Sequence, residues 1–244
     1  MNILLVNPNT SMPMTRAIAQ AAQSVAAPGT TIEAVQPSFG PLSIECHFDE
    51  VFAAAGVAEQ VRLANSRAVD AVVIACFGDP GLDAAREATA APVIGIAEAA
   101  FYAASFLSTG FSVVTTLNRT VVTAEHLLHR YGFERRCKGV HGTDIPVLDL
   151  EGCSEATVAR IEAAARTALE QDRSGAIVLG CAGMAPLCAT LSDRLGVPVI
   201  DGVSAAVKFA ESLVSLGLRT SQRGDYAPPP PKAFTGWAAP LGWK

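Results

Sequence analysis

Two cysteines stand at equivalent places in two similar stretches of the sequence. The first stretch, Asp70–Leu82, reads DAVVIACFGDPGL, and the second, Gly175–Leu187, reads GAIVLGCAGMAPL. In each stretch a short apolar run, typical of a strand buried on both faces, leads into a cysteine and then into a turn with glycine and proline. Cys76 and Cys181 are therefore predicted to lie at the carboxyl ends of parallel strands, where open α/β sheets hold their ligands.

Two thiols on opposite sides of one substrate suit proton transfer at carbon. One thiolate removes a proton from a carbon that a neighbouring carbonyl acidifies, and the other thiol returns a proton to the opposite face, which inverts that carbon. The ordinary pKa of a cysteine, about 8.5, brings both forms within reach of neutral pH. We expect a turn that opens a helix to favour the thiolate. The hypothesis is a racemase in which Cys76 and Cys181 face one cleft.

The two halves of the sequence continue to match after the cysteines. Ala91–Gly95 reads APVIG and corresponds to Val197–Asp201, which reads VPVID. Such an internal repeat predicts an α/β protein of two pseudo-symmetric lobes. Each lobe is expected to be a short, mainly parallel sheet flanked by helices, and the active site is expected in the cleft between them. Among the strands of the second half, the pattern places one within Lys138–Leu148.

The predicted elements also suggest where the lobes divide. A helix over Ala205–Gly217 is expected to pack back on the first lobe. The end of the chain carries four consecutive prolines, Pro228 to Pro231, followed by aromatic residues, and so cannot form a regular helix. We expect this tail to be loose or to lie over a neighbour, and its aromatic residues favour a homo-oligomer. Lobe one is predicted to contain residues 1–98 and to be completed by residues 205–221. Lobe two is predicted to contain residues 99–204, and the tail residues 222–244.

Polar turns follow the first predicted strand of each half. Asn9 and Thr10 come after Ile3–Val6, and Thr115 and Thr116 hold the corresponding place in the second half. Their side chains either cap the helix that follows or meet carbonyl oxygens of a ligand. In the first turn the sequence favours the cap, and in the second it leaves the two alternatives open.

Composition excludes several classes of function. The chain has 244 residues, of which 17% are charged, with a net charge of −5 and no basic patch, so nucleic acid is not an expected partner. It has no apolar run of the ~20 residues that cross a bilayer. The start of the sequence resembles no secretory signal, and we expect a cytoplasmic protein with reduced thiols. No pair of cysteines shows the C-x-x-C spacing of zinc or redox sites, and no glycine-rich nucleotide motif follows a strand.

The same residues resemble a known family. Asn7–Ser11, Cys76–Gly81 and Leu179–Met184 are similar to the hydantoin racemase branch of the aspartate/glutamate/hydantoin racemase superfamily. Members of that superfamily are cofactor-independent racemases with two cysteines on two pseudo-symmetric α/β lobes. The resemblance covers the chain to about residue 221. Within the branch it is strongest to allantoin racemases, over these stretches: Glu45–Glu50, Ile94–Ala100, Val113–Arg119, His126–Phe133 and Val197–Lys208.

The resemblance implies a site and a substrate. Cys76 and Cys181 would be the two acid/base groups, with no cofactor and no metal, and the substrate would be a small cyclic ureide. The amino-acid racemases carry Cys-Asn-Thr and Cys-Thr-His in the two cysteine turns, whereas this chain has Cys-Phe-Gly and Cys-Ala-Gly. A zwitterion would find few partners there, and a neutral ring fits better. The positions around that ring would be Asn9, Thr10, Phe77, Gly78, Thr115, Thr116, Ala182 and Gly183.

Racemisation of allantoin at its ring stereocentre is accordingly the first expectation. Racemisation of other 5-substituted hydantoins is the near alternative, because pocket size and not catalytic machinery separates the two. Cis–trans isomerisation of a dicarboxylate such as maleate would call for a more cationic cleft. A small-molecule-binding protein without catalysis would not need paired thiols.

Overall fold

The computed structural model describes residues 1–243, within which eight strands form two sheets. The first sheet contains β1 (Asn2–Val6), β2 (Thr31–Val35), β3 (Ala71–Ile74) and β4 (Val93–Gly95). The second contains β5 (Phe111–Thr115), β6 (Cys137–Gly142), β7 (Ile177–Leu179) and β8 (Val199–Asp201). The helices are α1 (Met12–Val25), α2 (His47–Ala64), α3 (Leu82–Ala88), α4 (Ile96–Leu107), α5 (Val121–Tyr131), α6 (Glu155–Asp172), α7 (Cys188–Leu195) and α8 (Gly202–Ser215).

The two sheets have the same topology. Their strand orders are β2-β1-β3-β4 and β6-β5-β7-β8, and every pairing within them is parallel. The strand that precedes each cysteine turn, β3 or β7, is thus central in its sheet. The predicted fold class, two similar α/β lobes with parallel sheets, is confirmed.

Helices cover both faces of each sheet, and this burial explains the continuous apolar runs in the central strands. In the first sheet, Ile3 and Leu5 of β1 pack against α1 and α8 on one face. Leu4 and Val6 pack against α2 and α3 on the other. The second sheet is covered by α4 and α5 on one face and by α6 and α7 on the other.

The last helix after each sheet packs on the other sheet. Phe101 of α4 is fully buried and stacks on Phe111 of β5, with ring centroids 5.7 Å apart, while α8 packs in the core of the first sheet. The two helices meet at their N-termini, where a Cβ on Gly202 would lie 2.2 Å from the carbonyl oxygen of Ile96. Glycine at position 202 allows this close approach. The precise lobe boundaries stay a prediction.

The chain leaves the second sheet at Gly142. The strand predicted within Lys138–Leu148 is present as β6, and a 3-10 helix covers Val147–Leu150. Asp144 adopts a left-handed backbone conformation with φ of 52°, and Pro146 has no N–H to donate to a neighbouring strand. These two residues turn the chain away from the sheet and carry Val147 towards the first half of the molecule.

The aromatic residues of the tail contact the protein's own first lobe. The Trp243 ring lies against the Arg62 guanidinium, 4.0 Å from the ring centroid, and the Tyr226 hydroxyl donates to Asp83. The Trp237 ring packs edge-on against Phe39. Phe234 and Trp237 nevertheless stay exposed, and a homo-oligomer stays a prediction. No helix within residues 1–243 has the length and apolar character needed to span a membrane.

Candidate active site

Cys76 and Cys181 lie at equivalent positions in the two halves. Each follows its central strand by two residues, since β3 ends at Ile74 and β7 ends at Leu179. Both thiols line one recessed cavity, whose wall is drawn from both halves of the chain. They are near enough that the charge of Cys181 raises the pKa of Cys76. The structure therefore brings together the two residues that the sequence selected.

Backbone N–H groups lie next to both sulfur atoms. The Gly78 N–H lowers the pKa of Cys76, and the Gly183 and Met184 N–H groups lower the pKa of Cys181. The Met184 N–H donates to the Cys181 carbonyl at 3.0 Å. In both turns the donor from glycine comes two residues after the cysteine. Such donors stabilise a thiolate once it has formed.

Burial nevertheless raises the pKa of both thiols. Loss of solvent is the largest influence and raises the pKa of Cys76 to about 12 and that of Cys181 to about 11. The Gly78 and Gly183 N–H groups act in the opposite direction but do not outweigh burial. The turns thus favour the thiolate as expected, but the enclosure of each sulfur by the cavity wall has the larger effect and keeps the pKa of both thiols above the ordinary value.

Most of the other predicted residues line the same cavity. It is bordered by Asn9, Phe77, Gly78, Thr115, Thr116 and Ala182. Thr10 and Gly183 are not part of this lining. The Thr10 hydroxyl donates to the Pro41 carbonyl at 3.1 Å, which fixes the loop after β2. Gly183 lies next to Cys181, and its N–H lowers the pKa of that thiol.

The Asn9 side chain is oriented by its own hydrogen bonds. Its Oδ1 accepts from the Asn7 side chain at 2.8 Å and from the Ser11 N–H at 2.9 Å. Its Nδ2 donates at 3.2 Å to the sulfur of Met14, which is a weak acceptor. The amide is thus held in one orientation. Because the Met14 sulfur is a weak acceptor, the Asn9 Nδ2 can donate instead to a stronger acceptor on a ligand in the cavity.

Thr115 closes the opposite side of the cavity. Its hydroxyl donates at 3.0 Å to the Gly180 carbonyl, next to Cys181. A Cβ on Gly180 would lie 2.6 Å from the Thr115 Cβ, so position 180 has to be glycine for the two turns to pack. The sequence could not distinguish this supporting role from direct contact with a ligand.

Two glutamates in the cavity wall were missed by sequence reasoning. Glu45 and Glu50 flank the start of α2 and are the charged side chains among the described residues of the lining. Glu50 is near Cys76 and Glu45 is near Cys181, and each carboxylate raises the pKa of its neighbouring thiol. The family resemblance included the stretch Glu45–Glu50, but no local pattern indicated that its two carboxylates lie beside the thiols.

Asp79 connects the first cysteine turn to the second half of the molecule. Its buried carboxylate accepts hydrogen bonds from the Ala97 and Glu98 N–H groups at the start of α4 and from the Tyr131 hydroxyl of α5. Burial raises the pKa of Asp79 to about 6. Because the Asp79 N–H also bonds the Cys76 carbonyl at 3.0 Å, this residue ties the cysteine turn to helices that cover the second sheet.

Within residues 1–243 no group of three His, Cys, Asp or Glu side chains is placed to hold a metal ion. His47 is exposed and pairs with Glu50, with Nδ1 3.1 Å from Oε2. Its ring stacks near that of His126, with centroids 6.5 Å apart. It does not belong to the cavity lining.

Two parallel sheets of the same topology, with a cavity between their cysteine turns, define the two-lobed α/β architecture of racemases and isomerases. A family model described as Asp/Glu/Hydantoin racemase matches residues 3–210. The chain belongs to this family, and the resemblance drawn from the sequence motifs is confirmed.

Individual relatives agree with the family assignment. The chain is 47% identical to a hydantoin racemase of Pseudomonas sp. (strain NS671), over 97% of this chain and 95% of that protein. Its structure is similar to that of allantoin racemase from Klebsiella pneumoniae, with 55% identity, a TM-score of 0.97 and coverage of 99% of each chain. It is also similar to allantoin racemase from Pseudomonas fluorescens, with 44% identity, a TM-score of 0.93 and coverage of 97% and 100%. These relatives support racemase activity, which is an isomerase activity.

Proposed function

We propose that this protein inverts the ring stereocentre of allantoin by proton transfer between two cysteines, without a cofactor. The observation that carries the proposal is the placement of Cys76 and Cys181, which come from equivalent turns of two similar lobes and line one cavity. Allantoin racemases with high structural similarity supply the choice of substrate.

The reaction needs one thiolate and one thiol. The thiolate takes the proton from the ring carbon, and the electron pair of the C–H bond moves into the adjacent carbonyl to give an enolate. The second thiol then donates its proton to the opposite face of that carbon, which produces the enantiomer. The enzyme is left with thiolate and thiol exchanged, so the reverse reaction uses the same groups. The amide of Asn9 is a suitable donor to the enolate oxygen.

Charge in the cavity supports a neutral substrate. The described lining contains the carboxylates of Glu45 and Glu50 and no lysine, arginine or histidine. A dicarboxylate such as maleate, or the carboxylate of an amino acid, would be repelled there and would lack a cationic partner. A ring with N–H and C=O edges carries no such charge.

Other 5-substituted hydantoins are the second candidate. Met14, Ile44 and Val147 give the cavity an apolar part that could accept an alkyl or aryl substituent. A curated relative at 47% identity is named a hydantoin racemase without further restriction. The two substrate classes share the catalytic step and differ in the group attached to the ring carbon.

Optical rotation of pure enantiomers distinguishes the two substrates. Each enantiomer of allantoin and of 5-benzylhydantoin is incubated with the protein in deuterium oxide, and deuterium at the stereocentre is followed by NMR. We expect the rotation of allantoin to decay to zero, well above the rate without protein, with deuterium in the inverted product. Decay with benzylhydantoin alone would favour the second candidate, and decay with neither would refute both.

The raised pKa values predict how thiol reactivity depends on pH. Because burial raises the pKa of Cys76 to about 12 and that of Cys181 to about 11, the thiolate fraction should grow about tenfold per pH unit from pH 7 to pH 10. Alkylation by iodoacetamide, followed for each cysteine by peptide mass spectrometry, measures this fraction. In the denatured chain the same rates should level off above the ordinary pKa of about 8.5. A plateau near pH 9 in the folded protein would contradict the prediction.

A further inference from the structure

Glu45 holds a carboxylate rigidly at the cavity, close to Cys181. Its Oε1 accepts the Val147 N–H at 2.8 Å, so a residue of the second half fixes the side chain. Its own N–H donates to the Asp49 carboxylate at 3.0 Å, which fixes the backbone. Among residues 1–243, no cation pairs with this carboxylate and no donor bonds its Oε2. One acceptor oxygen therefore remains for a ligand.

Glu50 differs in this respect. Its Oε1 accepts from the Thr123 hydroxyl and its Oε2 is paired with His47 Nδ1, both at 3.1 Å. Both oxygens are engaged within the protein, and the side chain links α2 to α5. Of the two carboxylates in the described lining, Glu45 has the greater capacity to bind a donor on a ligand.

We propose that Glu45 is a specificity residue, which selects cyclic ureides whose ring substituent carries N–H donors and rejects substituents with a negative charge. The inference rests on the proposed function. A hydrogen bond to a partly buried carboxylate is stronger than one to a neutral acceptor. The exocyclic ureido group of allantoin offers several N–H donors, and a benzyl substituent offers none. A carboxylate on the substituent would meet Glu45 as a like charge.

Glu45→Gln tests this role with little change of shape. A glutamine in the same position has an NH₂ group in place of one carboxylate oxygen, so either the Val147 N–H or the ligand N–H faces a donor instead of an acceptor. The variant also removes the negative charge. Three substrates are compared by kcat/KM: allantoin, 5-benzylhydantoin and the anionic hydantoin-5-acetate.

The expected effects differ in sign between substrates. For allantoin, kcat/KM should fall about 10- to 100-fold, the range expected when a hydrogen bond to a charged group is lost. For 5-benzylhydantoin it should stay within about threefold, and for hydantoin-5-acetate it should rise about tenfold because the repulsion is removed. A residue that only supports the structure would lower all three values together.

Glu59→Gln is the matched control, because Glu59 lies on α2 but outside the cavity lining. The kcat/KM values of all three substrates should stay as in the wild type. Equal losses for the three substrates in Glu45→Gln, or no change in their ratios, would overturn the inference. Absence of wild-type activity on allantoin would instead refute the proposed function. The two failures are therefore distinguished in one set of assays.

Discussion

Cys76→Ser and Cys181→Ser are each expected to lower the rate of racemisation by about 10²- to 10⁴-fold, the usual contribution of one positioned acid/base group. A serine hydroxyl is a far weaker acid than a thiol, so its oxyanion is not available to accept the proton. It is also a poor donor to the enolate. Inversion needs both groups, and the loss of either one should therefore suffice. The measurement is the decay of optical rotation for each enantiomer of allantoin.

Proton exchange should survive in a one-sided form. In Cys76→Ser the remaining Cys181 can still remove the proton from the enantiomer that presents its C–H to that side. In deuterium oxide, Cys181 then returns deuterium to the same face, so this enantiomer is labelled without inversion. Cys181→Ser should label the opposite enantiomer. The mirror-image pattern is specific to a two-base mechanism.

Other thiols serve as controls. Cys46 also lines the cavity, but it precedes α2 and has no counterpart in the second half. Cys137 lies outside the cavity, where its sulfur is hydrogen-bonded to the Gly139 carbonyl. Cys46→Ser and Cys137→Ser should both keep the inversion rate within about tenfold of the wild type, well short of the loss expected for a catalytic thiol. If Cys76→Ser or Cys181→Ser racemises allantoin as fast as these controls, the two-base mechanism is refuted.

The fold could be predicted because the sequence repeats its central strands. The apolar runs before Cys76 and Cys181 lack alternation, which indicates strands buried on both faces, and β3 and β7 are central in their sheets. The sequence placed β6 within Lys138–Leu148 but did not determine where it ends. The apolar pattern continues past Gly142. The left-handed backbone of Asp144 and the missing N–H of Pro146 turn the chain out of the sheet. An apolar pattern does not indicate such effects of backbone geometry.

The sequence predicted that the two thiols would lie at one site, but it predicted only some of the residues that line the cavity around them. Strand position determines where Cys76 and Cys181 lie, and strand position is readable from local sequence. The pKa of each thiol depends on how completely the cavity encloses it, which is a property of the assembled lobes. Glu45 joins the wall through Val147, far away in the chain. No local spacing indicates such a contact.

Asp79→Ala is expected to lower the free energy of unfolding by about 2–4 kcal/mol. The change leaves the N–H groups of Ala97 and Glu98 and the hydroxyl of Tyr131 without their acceptor, and a buried unpaired donor costs about 1–3 kcal/mol. Relief from burying the carboxylate offsets part of the combined loss. Urea unfolding followed by circular dichroism measures the effect. Asp193→Ala, at an exposed site on α7, should change stability by less than about 0.5 kcal/mol.

The pH dependence of Asp79→Asn tests the buried carboxylate itself, because asparagine tolerates the left-handed backbone at this position, where φ is 43°. Burial raises the pKa of Asp79 from 3.8 to about 6 in the folded protein, so the folded state holds this proton more tightly than the unfolded chain. The stability contributed by the protonated group is complete below pH 3.8 and is lost as the pH rises through 6. The wild type should therefore lose up to about 3 kcal/mol relative to Asp79→Asn between pH 4 and pH 7. A wild-type advantage that grows over this interval would mean that the charged carboxylate is stabilised where it lies, and that the α4 N-terminus and Tyr131 outweigh its burial.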